Sequence, residues 1–368
     1  MYKLPLPLFA AVVMLSLSAS SLQAQTNFRA WNGNTSTDWN DSTNWDGGVV
    51  PAGPNDVAAV RQSTNNPTVI GSGSNISLQK MFIGDDVTGS VTVDSGAFVD
   101  ASAGNSIVKK EASLTVNGSW TGGVIISNDA TVSIGTGGTL NGNLNFDNDS
   151  SLVVDGALNG DLTVAGASSA TINGTVTGNF LNNSSATQTI GSAGSLVGDL
   201  ELNGLDNAII SGSILGRFSV NQNASVTINS TADIRSTSGN SWFYNNAAIT
   251  WNVAADGSVA TLRTSRNESS SGAFDGEWRY DASTSMIVNL DAFAGGTITG
   301  MELVSGIQNE STFADNVVFT HNGVDVSSEF TFSDGSFSGA LAAIPELSTV
   351  GILTGFLSLV YVVFCRRR

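Results

Sequence analysis

The sequence predicts an all-β protein whose body is a parallel β-helix, a solenoid with coils of about 18 residues. Three observations predict it. Coils that start at Ala112, Ala130, Ser150, Ser168, Ala186, Asp206 and Ala224 follow one another at 18, 20, 18, 18, 20 and 18 residues. Glycines keep the same beat in two columns, one at Gly118, Gly138, Gly156, Gly174, Gly194 and Gly212 and one four residues on, at Gly122, Gly142, Gly160, Gly178, Gly198 and Gly216. Apolar positions align as well, and the column Val116, Ile134, Val154, Ile172, Ile190, Ile210, Ile228 is β-branched throughout. Branched side chains suit strands and glycine suits the corners between them.

Taken in chain order, residues 1–24 carry Lys3, an apolar run from Leu4 to Leu17 and small residues leading to Leu22-Gln23-Ala24. That is the pattern of a secretory signal peptide cut near Gln25. Residues 25–75 read as a Trp-rich N-terminal cap. Trp31, Trp39 and Trp45 are candidates for contact with sugar rings, and Trp242, Tyr244 and Trp251 form a second such group. Each tryptophan buries a large apolar area, so tryptophans near a solenoid end read first as core.

The solenoid is expected over 76–240, with weaker coils upstream through Ile76-Ser77-Leu78 and Ser90 to Phe98. Further columns read Trp120, Leu140, Leu158, Val176, Leu196, Ile214 and Val124, Leu144, Leu162, Phe180, Leu200, Phe218, while Asn182 and Gln188 interrupt weaker ones. Two-residue insertions before Gly138 and Gly194 fall at one corner, where a turn can bulge outward without disturbing stacked faces. At about 4.8 Å per coil, seven coils make a rod of roughly 34 Å. The repeat fits coils of either hand.

From 241 to 343 the repeat is lost and segments such as Ile249 to Val253 and Val317 to Thr320 alternate, which predicts a small antiparallel β domain. His321-Asn322-Gly323 marks a hairpin turn within it. Residues 344–368 form a tail: Ile344-Pro345-Glu346-Leu347-Ser348-Thr349, an apolar stretch to Cys365, then Arg366-Arg367-Arg368. Counted from Leu347 the apolar segment has 19 residues, a helix of roughly 28 Å, about one bilayer core. The three arginines are a membrane stop cluster that stays cytoplasmic, with the rest of the chain outside.

This tail resembles the PEP-CTERM sorting signal of Gram-negative bacteria, although Leu347 stands where the second proline of the motif would be. The resemblance covers about a fifteenth of the chain. It implies Pro345 to Thr349 as the sorting motif, an exosortase-type processing enzyme as partner, and association with exopolysaccharide or biofilm. The rhythm Gly156 to Leu162, Gly174 to Phe180 and Gly194 to Leu200 is similar to bactofilins, three-sided β-helices that polymerise end to end. The segment with Trp31-Asn32-Gly33, Asp38-Trp39, Asn44-Trp45 and Val50 to Asp56 resembles the opening of autotransporter-like surface proteins.

Composition narrows the chemistry. The formal charge is −17, and without the two terminal segments about −20. Nucleic acid is excluded as a partner, since phosphate binding needs clustered Lys and Arg. No basic residue lies between Lys110 and Arg217. The one cysteine is Cys365, so there is no disulfide, and the one histidine, His321, cannot supply a catalytic triad or a His-ligated metal cluster. Candidate acids are Asp85-Asp86, Asp147 with Asp149, and Asp155 with Asp161, none at a dedicated catalytic spacing. No cofactor is expected; oxygen-rich acidic loops are expected to bind Ca²⁺ weakly.

The leading expectation is an exported, non-enzymatic surface or matrix protein, structural or adhesive. It is held in the inner membrane by its C-terminal helix before processing, then released to the cell surface or matrix. The alternative is a carbohydrate-active β-helix enzyme, a lyase or hydrolase. Convergent acids over consecutive coils would favour the enzyme, and a smooth Ser/Thr/Asn surface the matrix protein. Self-association into a filament is a third expectation, weakened if both solenoid ends are covered.

Overall fold

The computed structural model describes residues 26–61, 66–85, 87–237, 241–264, 278–280, 283–304 and 310–341. The signal-peptide segment, the sorting motif, the apolar tail and the arginine cluster lie outside them. Among the described residues no helix is long and apolar enough to cross a membrane.

Alternation of period two makes short strands, and glycine corners turn the chain after each. One coil illustrates the whole. Ser113–Val116, Ser119–Thr121 and Val124–Ser127 lie on a first, second and third face, and Thr131–Ile134 returns to the first. Strands pair in parallel with their equivalents one coil on, and the described strands build sheets of 13, 10 and 12 members, the last strand of the first being added antiparallel. The first-face register runs Ser113↔Thr131↔Ser151↔Ser169 and Thr187↔Asn207↔Ser225, the beat expected from the sequence.

Burial follows the aligned columns. Val116, Ile134, Val154, Ile172, Ile190, Ile210 and Ile228 stack inside from the first face, Trp120 to Ile214 from the second and Val124 to Phe218 from the third, all with at most 2% exposure. A parallel sheet closed round its own core buries one face of every strand, so each coil adds apolar burial to the last.

Two corners explain the glycine columns. At Gly198 φ is +152° and an added Cβ would lie 2.1 Å from the Gly178 carbonyl oxygen of the coil below. A Cβ on Gly138 would meet the Val116 oxygen at 1.9 Å. The insertion before Gly138 closes on itself through Gly138 N–H to the Gly135 carbonyl, 2.7 Å, and that before Gly194 through Gly194 N–H to Gly191, 2.8 Å. The strands on either side keep their register, as expected of an outward bulge.

The third corner is turned by pairs of left-handed residues, including Asn128-Asp129 (φ 57° and 63°), Asn148-Asp149 (53° and 63°) and Gln222-Asn223 (56° and 70°). Asn and Asp tolerate this region better than other side chains.

The ladders extend beyond 76–240 on both sides. Asn27–Trp31 pairs in parallel with Asp56–Val60, which pairs with Lys80–Ile83, so the Trp-rich segment contributes strands of its own. At the other end Ser225–Ile228 is followed by Ala248–Asn252, Ser285–Asn289 and Val317–His321, again in parallel. The pairing does not break at residue 240. Among the described strands, antiparallel pairing is confined to the sheet of Gly296–Met301, Ser336–Leu341 and Phe330–Ser333, and to the hairpin from Val317–His321 to Val324–Asp325. The reason is coil length. Asn252 and Asn289, neighbours on adjacent coils, are 37 residues apart, which hides the period while leaving each strand's alternation intact.

Aromatic clusters close the two ends of the core. Trp45 packs edge-on against Trp31 and Trp39, at 5.1 and 4.6 Å between ring centroids. The loop before Trp45 pairs with the first strand of the first face, through Val69 N–H to the Thr37 carbonyl and Trp39 N–H to the Val69 carbonyl. At the far end Phe319 stacks on Phe330 at 4.1 Å and meets Phe337 edge-on.

Candidate functional site

The expected sugar contacts of the cap are corrected by burial. Trp31, Trp39 and Trp45 are 1%, 0% and 2% exposed, so no ring face is open to a sugar. Two of their indole N–H groups are used inside: Trp45 donates to the Trp39 carbonyl at 2.8 Å and Trp31 to the Asn66 carbonyl at 3.0 Å. Asn44, which the sequence marks only as part of the Asn44-Trp45 motif, is equally buried and its Oδ1 accepts from the Thr35 and Ser36 N–H groups. An Asn before a Trp in a loop carries no periodic signal that would reveal this.

The candidate acids separate into corner pins. Asp147 Oδ1 accepts from the neighbouring Asn148 N–H, and Asp149 is one of the left-handed turn residues. Asp155 accepts from Asn173 Nδ2 at 2.9 Å at one corner, while Asp161 accepts from the Asn179 N–H at 2.8 Å at another. Asp85 is held by Arg61 at 3.0 Å and by Lys109, whose hydrogen bond draws its carboxyl below the usual range; Asp86 lies outside the described residues. His321 opens the expected turn, with Asn322 and Gly323 at positive φ and its Nδ1 3.0 Å from the Leu290 carbonyl.

One corner gathers charge over consecutive coils. Asn143, Asp161, Asn179 and Asp199 each accept, through a side-chain oxygen, the N–H of the same position on the next coil, at 2.8–3.0 Å, ending at Arg217. Asp161, Asp199, Glu201 and Arg217 line a cleft of about 280 Å³ there. Asp199 also pairs with Arg217 at 3.4 Å, and Glu201 accepts from Asn203. Among the described residues no cluster of three or more His, Cys, Asp or Glu side chains could hold a metal ion.

One buried acid stands apart. Asp206 takes a coil-start position that is alanine or serine in the neighbouring coils. It is 2% exposed, and burial pushes its carboxyl up to about 7 against a 2.7 Å hydrogen bond from the Asn203 N–H.

The first face is different in character. Its outward side presents two ranks: Ser113, Thr131, Ser151, Ser169, Thr187, Asn207, Ser225, and beside them Thr115, Ser133, Val153, Thr171, Thr189, Ile209, Thr227. All but Asn207, Val153 and Ile209 carry a hydroxyl, and none is charged. Members are about 4.8 Å apart along the axis and the ranks about 7 Å apart across it. Hydrogen bonds run along the first rank, as between Thr131 Oγ1 and Ser151 Oγ at 3.1 Å and from Asn207 Nδ2 to Thr187 Oγ1 at 3.1 Å. The result is a flat, uncharged, hydroxylated strip on an acidic protein. Its signal was present in the sequence as Ser/Thr-x-Ser/Thr at the start of successive coils.

Of the second aromatic group, Trp251 is buried, whereas Trp242 and Tyr244 remain half-exposed on the third face. No family model matches the chain, and no curated protein matches it.

Proposed function

We propose that this chain is an exported, non-enzymatic surface or matrix protein, structural or adhesive, whose solenoid lies against neutral polysaccharide. The observation that carries the reading is the uncharged hydroxylated strip of the first face. A flat row of donors and acceptors at regular spacing can exchange its water for the hydroxyls of a glycan, and its neutrality removes the repulsion that the acidic remainder of the chain exerts on polyanions. Covered ends favour lateral contacts over end-to-end stacking. Export and sorting rest on the N-terminal apolar segment and on Pro345 to Arg368, read as a PEP-CTERM-like signal that an exosortase-type enzyme processes after the apolar helix has anchored the chain.

The test is the intact mass and cell fraction of the native protein, beside a form truncated before Pro345. A native species lacking Val350 to Arg368 and found outside the cell supports the reading. A species that keeps Arg366 to Arg368 and stays in the inner membrane sinks it.

The cleft with Asp161, Asp199, Glu201 and Arg217 favours a second reading, a carbohydrate-active enzyme. The hydrogen bonds that tie Asp161 and Asp199 to neighbouring coils weigh against it. Depolymerisation of a polysaccharide that Glu201→Gln abolishes would establish the second reading.

A further inference from the structure

Six of the seven tryptophans, Trp31, Trp39, Trp45, Trp120, Trp251 and Trp278, are at most 2% exposed. Trp242 is the exception. The register sets it on the outward side of the third face, between Ser219 of the preceding coil and Arg279 of the next. Tyr244 shares that side and meets Trp242 edge to face at 6.1 Å, while the Arg279 guanidinium lies 4.8 Å over the indole. With Phe243 and Tyr280 they line a cleft of about 240 Å³, smaller than a drug-sized pocket and mostly aromatic.

The approach to this shelf is polar. Asn183 and Asn203 stand on the same outward side one coil apart, linked by Asn203 Nδ2 to Asn183 Oδ1 at 3.3 Å. Buried Asn221 donates to Asn203 Oδ1 at 3.1 Å and carries the row on to Tyr244, its partner in register. Amides offer both donor and acceptor, which hydroxyls use and an apolar protein patch does not. Glu201 lies in the same outward row two coils before Trp242, and acids outnumber bases 31 to 14 in the chain, which disfavours an anionic occupant.

We propose that Trp242 and Tyr244 form a subsite for a neutral pyranose ring of a polysaccharide lying along the solenoid axis. The C–H face of the ring stacks on the indole, and its neighbours bond to Asn203 and Asn183. Arg279 holds the indole in place. This inference rests on the polysaccharide reading above and names where a sugar ring is gripped.

The full chain, purified in mild detergent, is titrated with cellohexaose, mannohexaose and xylohexaose, with hexagalacturonate as the acidic comparison. Acrylamide quenching of tryptophan fluorescence reports the shelf directly, because Trp242 is the indole that solvent reaches; calorimetry gives the affinity. At least one neutral hexaose is expected to protect Trp242 saturably. Trp242→Leu should weaken binding at least tenfold and Trp242→Phe, which keeps a ring, two- to fivefold, with unchanged circular dichroism, while Val197→Ala, exposed on the outward side of the second face, leaves it unaltered. Absence of protection by all three neutral hexaoses overturns the proposal. So does preference for hexagalacturonate, or an equal loss in Val197→Ala. A chain that binds a neutral hexaose through Trp242 yet stays in the inner membrane would leave the shelf standing and overturn the matrix role alone.

Discussion

The middle of this solenoid and its two ends obey different rules. Between Ala112 and Arg235 a residue's surroundings are set by its column, so Ile134 and Ile172, two coils apart, each lie between β-branched residues of the same column. At the ends no coil lies beyond, and what decides is whether aromatic side chains cover the exposed core. The difference teaches that regularity and closure are separate problems here, solved by glycine corners in the middle and by Trp or Phe clusters at the ends.

The comparison can be broken most severely in the middle. Gly198→Val forces a side chain against the Gly178 carbonyl, 2.1 Å from its Cβ, and should cost more than about 4 kcal/mol. Gly71→Val, which has nothing within 4 Å of its Cβ, is the matched control. Urea titration followed by circular dichroism reads both; similar midpoints would refute the close-packed corner.

A cap should yield somewhat less. Trp39→Ala removes a fully buried ring at a cost of about 3–5 kcal/mol, and it uncovers the core where the first strands end. Concentration-dependent association, measured by light scattering, is expected together with the lower midpoint. A destabilised variant that stays monomeric would show that the tryptophans do not guard the end.

Asp206 gives a smaller effect with a sign set by pH. Its folded carboxyl titrates near 7, above the unfolded value near 3.8, so folding favours the protonated form. The contribution is present in full below pH 4 and is lost as pH rises toward 7. Asp206→Ala should therefore raise stability by about 1–3 kcal/mol at pH 8 and by less at pH 4, in thermal melts at the two pH values. A gain that does not change with pH would refute a buried protonated acid. Smallest of all, Thr131→Ala on the outward rank should stay within about 0.5 kcal/mol of the parent.

The central coils were legible because the columns, the two glycines per coil and the insertions all repeat, and each residue type suits its place. Gln188 was legible only as an exception. The structure shows why it is tolerated: its Oε1 accepts from the Ala170 N–H at 2.6 Å and its Nε2 donates to the Ser168 and Ala186 carbonyls, so the buried amide is paired. The coils after residue 240 read as antiparallel because alternation alone does not give strand direction, and a 37-residue coil carries no visible beat. Trp242 and Trp251 looked alike in sequence. They differ because Trp251 falls on an inward position of the first face and Trp242 on an outward position of the third, a parity that depends on register.

The matching corners have a consequence for how such a chain can change. A coil touches only the coil before and the coil after, and the caps meet only the outermost ones. Eighteen codons, duplicated in frame from one corner to the same corner, would insert a complete layer with its interior already matched above and below. The molecule would lengthen by about 4.8 Å and extend its hydroxylated strip by one pair of residues without altering either cap. Reach is thus a quantity this gene can adjust in discrete steps, independently of its two ends and of the shelf at Trp242.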